Sequence, residues 1–187
     1  MIKITKILSI DECLEMIDDY GMPQHIRNHS YKVRDVAVFM TKELNKKGNS
    51  LDTKLIESCA LIHDIVKIQC VRKEYPDFDN NHAKVGADIL RKMGCGRMAD
   101  IIAQHVILWK DYNGIVEDEI INYSDKRVRH DQLVSLTERF DDIKVRYASK
   151  DKKVLRGIEN NENGSLILET KIFKSLDFSP DDLIDLI

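Results

Sequence analysis

The sequence has little of what marks secreted, membrane-spanning or disordered proteins. It contains three prolines and no run of about eighteen apolar residues, the length that a membrane-spanning helix requires. Its four cysteines form no Cys-x-x-Cys pair, which argues against a disulfide framework or a cysteine-based zinc site. The amino-terminal segment MIKITKILSI is broken by lysines and has no small-residue cleavage site. We therefore expect a cytoplasmic protein with unlinked thiols and no membrane association.

The chain also lacks an excess of basic residues. The formal net charge is −3, from 29 Lys and Arg against 32 Asp and Glu. An extended nucleic-acid or anionic-membrane surface would need a concentrated positive footprint. Local basic stretches occur at residues 126–129 and 150–156, and a solvated helix face is the simpler interpretation of each. The composition thus argues against an extended nucleic-acid surface but is compatible with a small phosphorylated substrate.

Hydrophobic residues recur at spacings of three and four almost throughout the chain, which predicts an all-α fold. A chain of 187 residues suits a single domain that buries its core without disulfides or metal staples. We predict helices over residues 10–20, 24–45, 51–66, 82–93, 97–109, 117–129 and 131–147, with more helix beyond residue 149.

Four histidines fall on the apolar faces of four different predicted helices: His29, His63, His82 and His105. Two acids join them, Asp64 directly after His63 and Asp125 on a later helix. One such histidine alone is more often an ordinary core residue, but together they would bury several polar groups, each costing about 1–3 kcal/mol if unpaired. Imidazole and carboxylate ligands hold divalent Mn, Fe, Ni, Co or Zn, so a shared transition-metal site would satisfy them all.

The order of these residues resembles the HD superfamily of metal-dependent phosphohydrolases. The resemblance covers about residues 24–128 and rests on His29, the segment LIHDIVK at 61–67, and Ser124-Asp125-Lys126. That family's pattern is a distant histidine, a His-Asp doublet and a later aspartate that close on one metal. The resemblance implies a helical bundle of the HD-domain type with His29, His63, Asp64 and Asp125 as metal ligands.

His82 and His105 fall where two-metal members of the superfamily place extra histidines, and Asp64 would then bridge the ions. The resemblance therefore implies one or two ions; in the one-ion alternative these histidines bond backbone carbonyls or substrate phosphate. The segment from His82 to Ala87 is similar to a His-x-x-x-Gly-Ala segment of symmetrical dinucleoside-tetraphosphate hydrolases. The doubled histidine and Gly-Tyr-Pro signature of the cyclic-dinucleotide phosphodiesterases are absent, which disfavours that substrate.

The expected reaction is hydrolysis of a phosphomonoester, phosphodiester or phosphoanhydride in a nucleotide-like substrate by a metal-activated water. Asp64 or Asp125 would orient the water, while Lys67, Lys126 and Arg127 are candidates for holding phosphate charge, with an exposed helix charge as the alternative for each cation. Two other classes stay open: a di-iron oxygenase on the same fold, and a regulatory module that binds a nucleotide without turnover.

The expected organisation is one HD-type domain over residues 1–187. Residues 24–128 would form its metal-site core, and residues 131–187 would add carboxy-terminal helices packed on that core. A homodimer remains open. We expect His25 at the mouth of the site or exposed, and Cys59 as an inert buried thiol. Trp109 and Tyr112 are expected to be core and turn residues rather than a base-stacking rim.

Overall fold

The computed structural model describes residues 6–79, 81–110, 112–147 and 151–187. Its helices are α1 (Ile10–Asp19), α2 (Gln24–Lys46), α3 (Thr53–Ile62), α4 (Lys67–Val71), α5 (His82–Lys92), α6 (Gly96–Ala103), α7 (Glu117–Lys126), α8 (Leu136–Tyr147), α9 (Lys152–Phe173) and α10 (Leu183–Leu186). A 3-10 turn lies at Pro76–Phe78, and strands β1 (Val128–Arg129) and β2 (Gln132–Leu133) form a short antiparallel pair. The predicted all-α fold is confirmed.

Several helices begin at residues whose side chains bond the first backbone amides. Ser9 and Glu12 form a capping box at the start of α1, because each side chain accepts from the backbone amide of the other residue. Similar side-chain caps precede α3, α5 and α9, at Asp52, Asn81 and Asp151. Gly21 follows α1 at a φ of +58°, which a side chain would oppose, and so turns the chain towards α2.

Helix α2 lies at the centre of the bundle and packs mainly on α3 and α7. Its predicted apolar stripe is buried, and the stripe includes a polar residue: His29, Val33, Val36, Met40 and Leu44. Helix α5 packs on α6, and α8 packs on α9. One cluster of buried hydrophobic side chains extends from Leu8 to Leu183, while the division into a metal-site core and carboxy-terminal helices stays a prediction. Among the described residues, no helix combines the length and apolar character needed to cross a membrane.

The predicted helix over residues 51–66 is interrupted at the His-Asp doublet. Helix α3 ends at Ile62, residues 63–66 form turns, and α4 begins at Lys67. Neighbouring residues on a continuous helix point about 100° apart, so a break at this place allows both His63 and Asp64 to face one centre.

Three other predicted boundaries were wrong, and each correction lies near the site. Helix α6 ends at Ala103 instead of Trp109, α7 ends at Lys126 instead of Arg129, and α8 begins at Leu136 instead of Asp131. Between α7 and α8 the chain reverses at His130, whose φ is +59°, and Val128 pairs with Leu133. This hairpin replaces the ends of both predicted helices.

Candidate metal centre

All six predicted metal ligands come from elements that meet beside α2. His29 lies on α2, His63 and Asp64 lie on the turn after α3, and Asp125 lies in the last turn of α7. The remaining two are His82, the first residue of α5, and His105, two residues after α6 ends. They form two groups that could each hold a metal ion, His29 with His63 and Asp125, and Asp64 with His82 and His105.

In the first group, the Oδ1 atom of Asp125 lies 2.9 Å from His29 Nε2 and 3.6 Å from His63 Nε2. The side chain of His63 is fully buried, and that of Asp125 is 13% exposed. Two imidazole nitrogens and one carboxylate oxygen thus converge, with solvent access on the Asp125 side. This is a donor set that transition metals accept.

In the second group, the Oδ1 atom of Asp64 lies 3.2 Å from His82 Nε2 and 3.6 Å from His105 Nε2. The two histidine Nε2 atoms are 3.0 Å apart. The other oxygen of the same carboxylate, Asp64 Oδ2, lies 3.5 Å from His63 Nε2 and 4.0 Å from His29 Nε2. One carboxylate therefore presents one oxygen to each group.

Backbone carbonyls determine which nitrogen of three histidines carries a proton. The Nδ1 atoms of His29, His63 and His105 lie 2.9, 2.8 and 2.7 Å from the carbonyl oxygens of His130, Ala60 and Ile102. Because a carbonyl only accepts, each Nδ1 donates, and the Nε2 atom of a neutral ring offers a lone pair. Metal-binding histidines in proteins are oriented in the same way.

The lone pair of His29 points at a group that also only accepts. A neutral His29 places its Nε2 lone pair 2.9 Å from Asp125 Oδ1, an arrangement that only a proton or a cation makes favourable. Within the described residues, the buried atoms His63 Nε2 and Asp64 Oδ1 have no hydrogen-bond partner. Buried polar atoms are rarely left in this state, so the residues present fit a metal centre.

Burial and charge act in opposite directions on the acids. Burial opposes ionisation of Asp64, but Lys67 and His63 outweigh it and hold the pKa of its carboxyl well below the ordinary value. Burial likewise opposes ionisation of Asp125, but the bond to His29 and the nearby His63 hold its pKa well below the usual range. Both carboxylates are therefore ionised at neutral pH and can supply the negative charge that balances a bound cation.

Two of the buried histidines, His63 and His105, differ in which protonation state their surroundings favour. Burial, together with the nearby His82 and His63, lowers the pKa of His105 to about 4 even though Asp64 favours the charged form. Burial also opposes protonation of His63, but Asp64 and Asp125 outweigh it and raise its pKa. His105 is therefore neutral at pH 7, the protonation state that metal coordination requires.

The predicted phosphate-binding cations are placed differently from one another. Lys67 Nζ lies 2.5 Å from Asp64 Oδ2 and borders the cavity above the ligands. Lys126 is buried, and its Nζ atom donates to the carbonyls of His105 and Asn122 at 3.1 and 3.3 Å. Burial lowers the pKa of Lys126 to about 8 despite the nearby Asp125. Both lysines lie at the centre, and Lys126 also fixes the turn that carries His105.

Arg127 does not lie at the centre, so the expectation that it holds phosphate charge does not fit the structure. Its side chain is 1% exposed and does not border the cavity. Its guanidinium donates to Val134 O at 2.7 Å and Pro180 O at 2.9 Å, and it bonds Tyr123 Oη at 2.5 Å and Glu169 at 3.2 Å. On a helix Arg127 points about 100° away from Lys126, towards the carboxy-terminal segment.

Helix α7 also buries two acids that the sequence analysis did not single out. Asp118 and Glu119 are buried, and Asp118 accepts from Arg97 at 2.5 Å and Gln104 at 2.8 Å. One turn further on, Asn122 donates to the carbonyls of Gln104 and His105 at 2.9 and 3.0 Å. The sequence did contain a signal for this buried polar face, because residues 118, 122 and 126 recur every four residues and share one side of the helix.

A cavity of about 880 Å³ opens above the ligands. Its floor includes His29, Asp64, His82, His105 and Asp125, and its outer wall comes from α8 and α9. His25 borders the cavity and is exposed, as expected for a residue at its mouth.

Two further expectations concerned residues outside this cavity. Trp109 is 60% exposed, so its assignment to the core was wrong. Cys59 is buried and unlinked, as expected, and burial raises the pKa of its thiol well above the usual value.

Fold and site together define an all-helical protein with a candidate His/Asp metal centre at the floor of a cavity. Residues 26–142, more than half of the chain, match the family model of the HD domain. The chain therefore belongs to the HD-domain family, and the predicted family assignment is confirmed.

One curated relative is named for an activity other than phosphate hydrolysis. The tRNA (cytidine(56)-2'-O)-methyltransferase of Thermoplasma volcanium is 33% identical over 106 residues, which are 56% of this chain. The aligned region makes up 28% of that protein, so the chain spans little more than a quarter of its relative's length. No solved structure matches the chain significantly.

Proposed function

We propose that this protein is a metal-dependent phosphohydrolase that acts on a small organic phosphate. The observation that carries the proposal is the position of Asp64, with one carboxylate oxygen towards His29 and His63 and the other towards His82 and His105. A carboxylate shared in this way suits a two-metal hydrolytic site, in which two ions lie about 3.5–4 Å apart.

The ligand assignment follows the two groups. His29, His63 and Asp125 would hold one divalent transition-metal ion, His82 and His105 the other, and Asp64 both. Bound ions of this kind supply Lewis acidity at a phosphoryl oxygen and lower the pKa of water to near neutrality. Mn, Fe, Ni, Co and Zn all accept this mixture of imidazole and carboxylate ligands.

The protein's own side chains would orient the reactants. Asp64 and Asp125 both border the cavity and stay ionised, so either could accept a hydrogen bond from the attacking water. Lys67 holds Asp64 and would meet phosphate charge from the open side. An ammonium has three donors, and Lys126 gives two of them to carbonyls, which leaves one for a ligand.

The upper cavity favours an organic group on the substrate. Four hydrophobic side chains that border it are exposed: Val71, Ile107, Tyr147 and Val154. Such an apolar rim suits the non-phosphate part of a nucleotide-like molecule, while bound metal ions together with Lys67 and Lys126 would suit its phosphate. The methyltransferase relative does not extend the proposal to tRNA, because the chain spans so little of that enzyme and its net charge is −3.

The test combines metal analysis with a screen of activities. Purified protein, loaded with each candidate metal, would be assayed on nucleoside mono-, di- and triphosphates, dinucleoside polyphosphates and cyclic nucleotides. We expect bound metal and release of phosphate or a phosphorylated product from at least one class. Oxygen uptake with a mixed-valent iron signal would contradict the proposal in favour of an oxygenase. Nucleotide binding without product under every metal would do so in favour of a regulatory module.

A further inference from the structure

Arg139 is a third cation at the cavity, and the sequence analysis did not assign it to the site. It lies in the first half of α8 and borders the same cavity as Lys67 and Lys126. Its side chain is only 12% exposed. Arginine carries five N–H donors in a fixed planar arrangement, so a buried arginine normally has several acceptors around it.

The acceptors around Arg139 are few. Within the part of the chain that the structure describes, its buried Nε atom has no hydrogen-bond partner. The nearest carboxylate, that of Asp142, is 3.7 Å from a terminal nitrogen of Arg139, beyond hydrogen-bond distance. Asp142 is in closer contact with Arg146 one turn further on. The guanidinium of Arg139 is therefore almost desolvated and only weakly neutralised.

Arg127 provides the internal comparison. It is equally an arginine beside the bundle core, yet all three of its nitrogens donate to oxygen atoms of the protein. Leaving a buried charged donor unpaired costs more free energy than leaving a neutral one unpaired. The simplest compensation at Arg139 is an anionic ligand in the cavity that it borders.

We propose that Arg139 binds the phosphoryl oxygens of the substrate and so determines which anions the site accepts. A guanidinium matches two oxygens of a phosphate at once, whereas the ammonium groups of Lys67 and Lys126 act as point charges. Each lysine is also already bonded, to Asp64 and to two carbonyls. The inference rests on the proposed function, since it concerns the ligand of the same site.

Calorimetric titration with inorganic phosphate tests this role without requiring turnover. The Mn²⁺-loaded wild-type protein would be compared with Arg139→Gln, which keeps part of the aliphatic stem, and with Arg139→Lys. Arg91→Ala is the matched control, because Arg91 is an exposed arginine on α5 that pairs with Asp100. Metal content and circular dichroism would be measured on every variant.

We expect the wild type and Arg91→Ala to bind phosphate equally. Arg139→Gln should bind about ten- to hundredfold more weakly, the range of a lost hydrogen bond to a charged group. Arg139→Lys should fall between them, because a point charge restores attraction but not the paired contact. All four proteins should retain their metal.

Two results would overturn the role of Arg139. One is equal phosphate affinity in Arg139→Gln and the wild type, and the other is no phosphate binding by the metal-loaded wild type. If Arg139→Gln failed to fold, a wild-type-like affinity in Arg139→Lys would count equally against the paired contact. In each case the screen of activities still decides the phosphohydrolase proposal separately, since it requires metal and product release from the unaltered protein.

Discussion

The candidate metal centre and the cluster around Arg127 are both buried and charged, and helix α7 contributes to both. Around Arg127, every guanidinium nitrogen has an oxygen partner within the protein. At the metal centre, His63 Nε2, Asp64 Oδ1 and Arg139 Nε have none among the described residues. Native proteins rarely leave buried polar atoms unpaired. The difference therefore separates a cluster whose bonds are complete within the protein from one that a bound metal ion or anion would complete.

The comparison predicts its largest effect at Asp64. Asp64→Ala and, separately, His63→Ala should abolish metal retention, because each removes a ligand from the centre. Asp118→Asn is the matched control, since Asp118 is an equally buried acid that is bonded within the protein. That variant should lose stability but keep its metal. Elemental analysis of the three purified variants decides, and full metal occupancy in Asp64→Ala and His63→Ala would remove the doublet from the centre.

Arg127 should show the opposite behaviour. Arg127→Ala leaves Glu169 and Tyr123 without their buried partner, so we expect a loss of roughly 3–5 kcal/mol in the free energy of unfolding. Metal content should not change. Urea denaturation measures the first quantity and elemental analysis the second. Unaltered stability would contradict the structural role of Arg127, and loss of metal together with retained stability would place it at the metal centre after all.

The sequence predicted which residues come together better than it predicted the elements that position them. The histidines could be placed because they continue apolar stripes of helical spacing, as His29 does with Val33 and Val36. The ends of α3 and α6 could not be placed, because tertiary contacts determine them. The turn at His105, for example, depends on bonds from Asn122 and Lys126 to its carbonyl.

Which basic residues lie at the cavity could not be predicted from the sequence either. Lys126 and Arg127 are adjacent and both basic, yet Lys126 borders the cavity while Arg127 bonds Pro180 in the carboxy-terminal segment. A difference of about 100° around a helix separates them, and only the packing of α9 against α7 shows which side is which. Arg139 could equally have been an exposed charge on α8, because its burial depends on how α8 closes the cavity.

A smaller effect is expected at the two lysines of the centre. Lys67→Ala and Lys126→Ala should retain metal but reduce kcat about a hundredfold, as the loss of one donor to developing negative charge does in other active sites. Lys84→Ala, which changes an exposed lysine on α5, should have no effect. The measurement is steady-state kinetics on whichever substrate the screen identifies. Unchanged kcat and KM in both variants would exclude the lysines from the reaction.

The metal stoichiometry tests the central claim most directly. In the proposed centre Asp64 would join two ions, one held with His29, His63 and Asp125 and the other with His82 and His105. Titration with excess manganese, or with iron under anaerobic conditions, should give two ions per wild-type chain. The double variant His82→Ala, His105→Ala should bind one. A stoichiometry of one in both proteins would contradict the shared carboxylate and leave a single-ion centre.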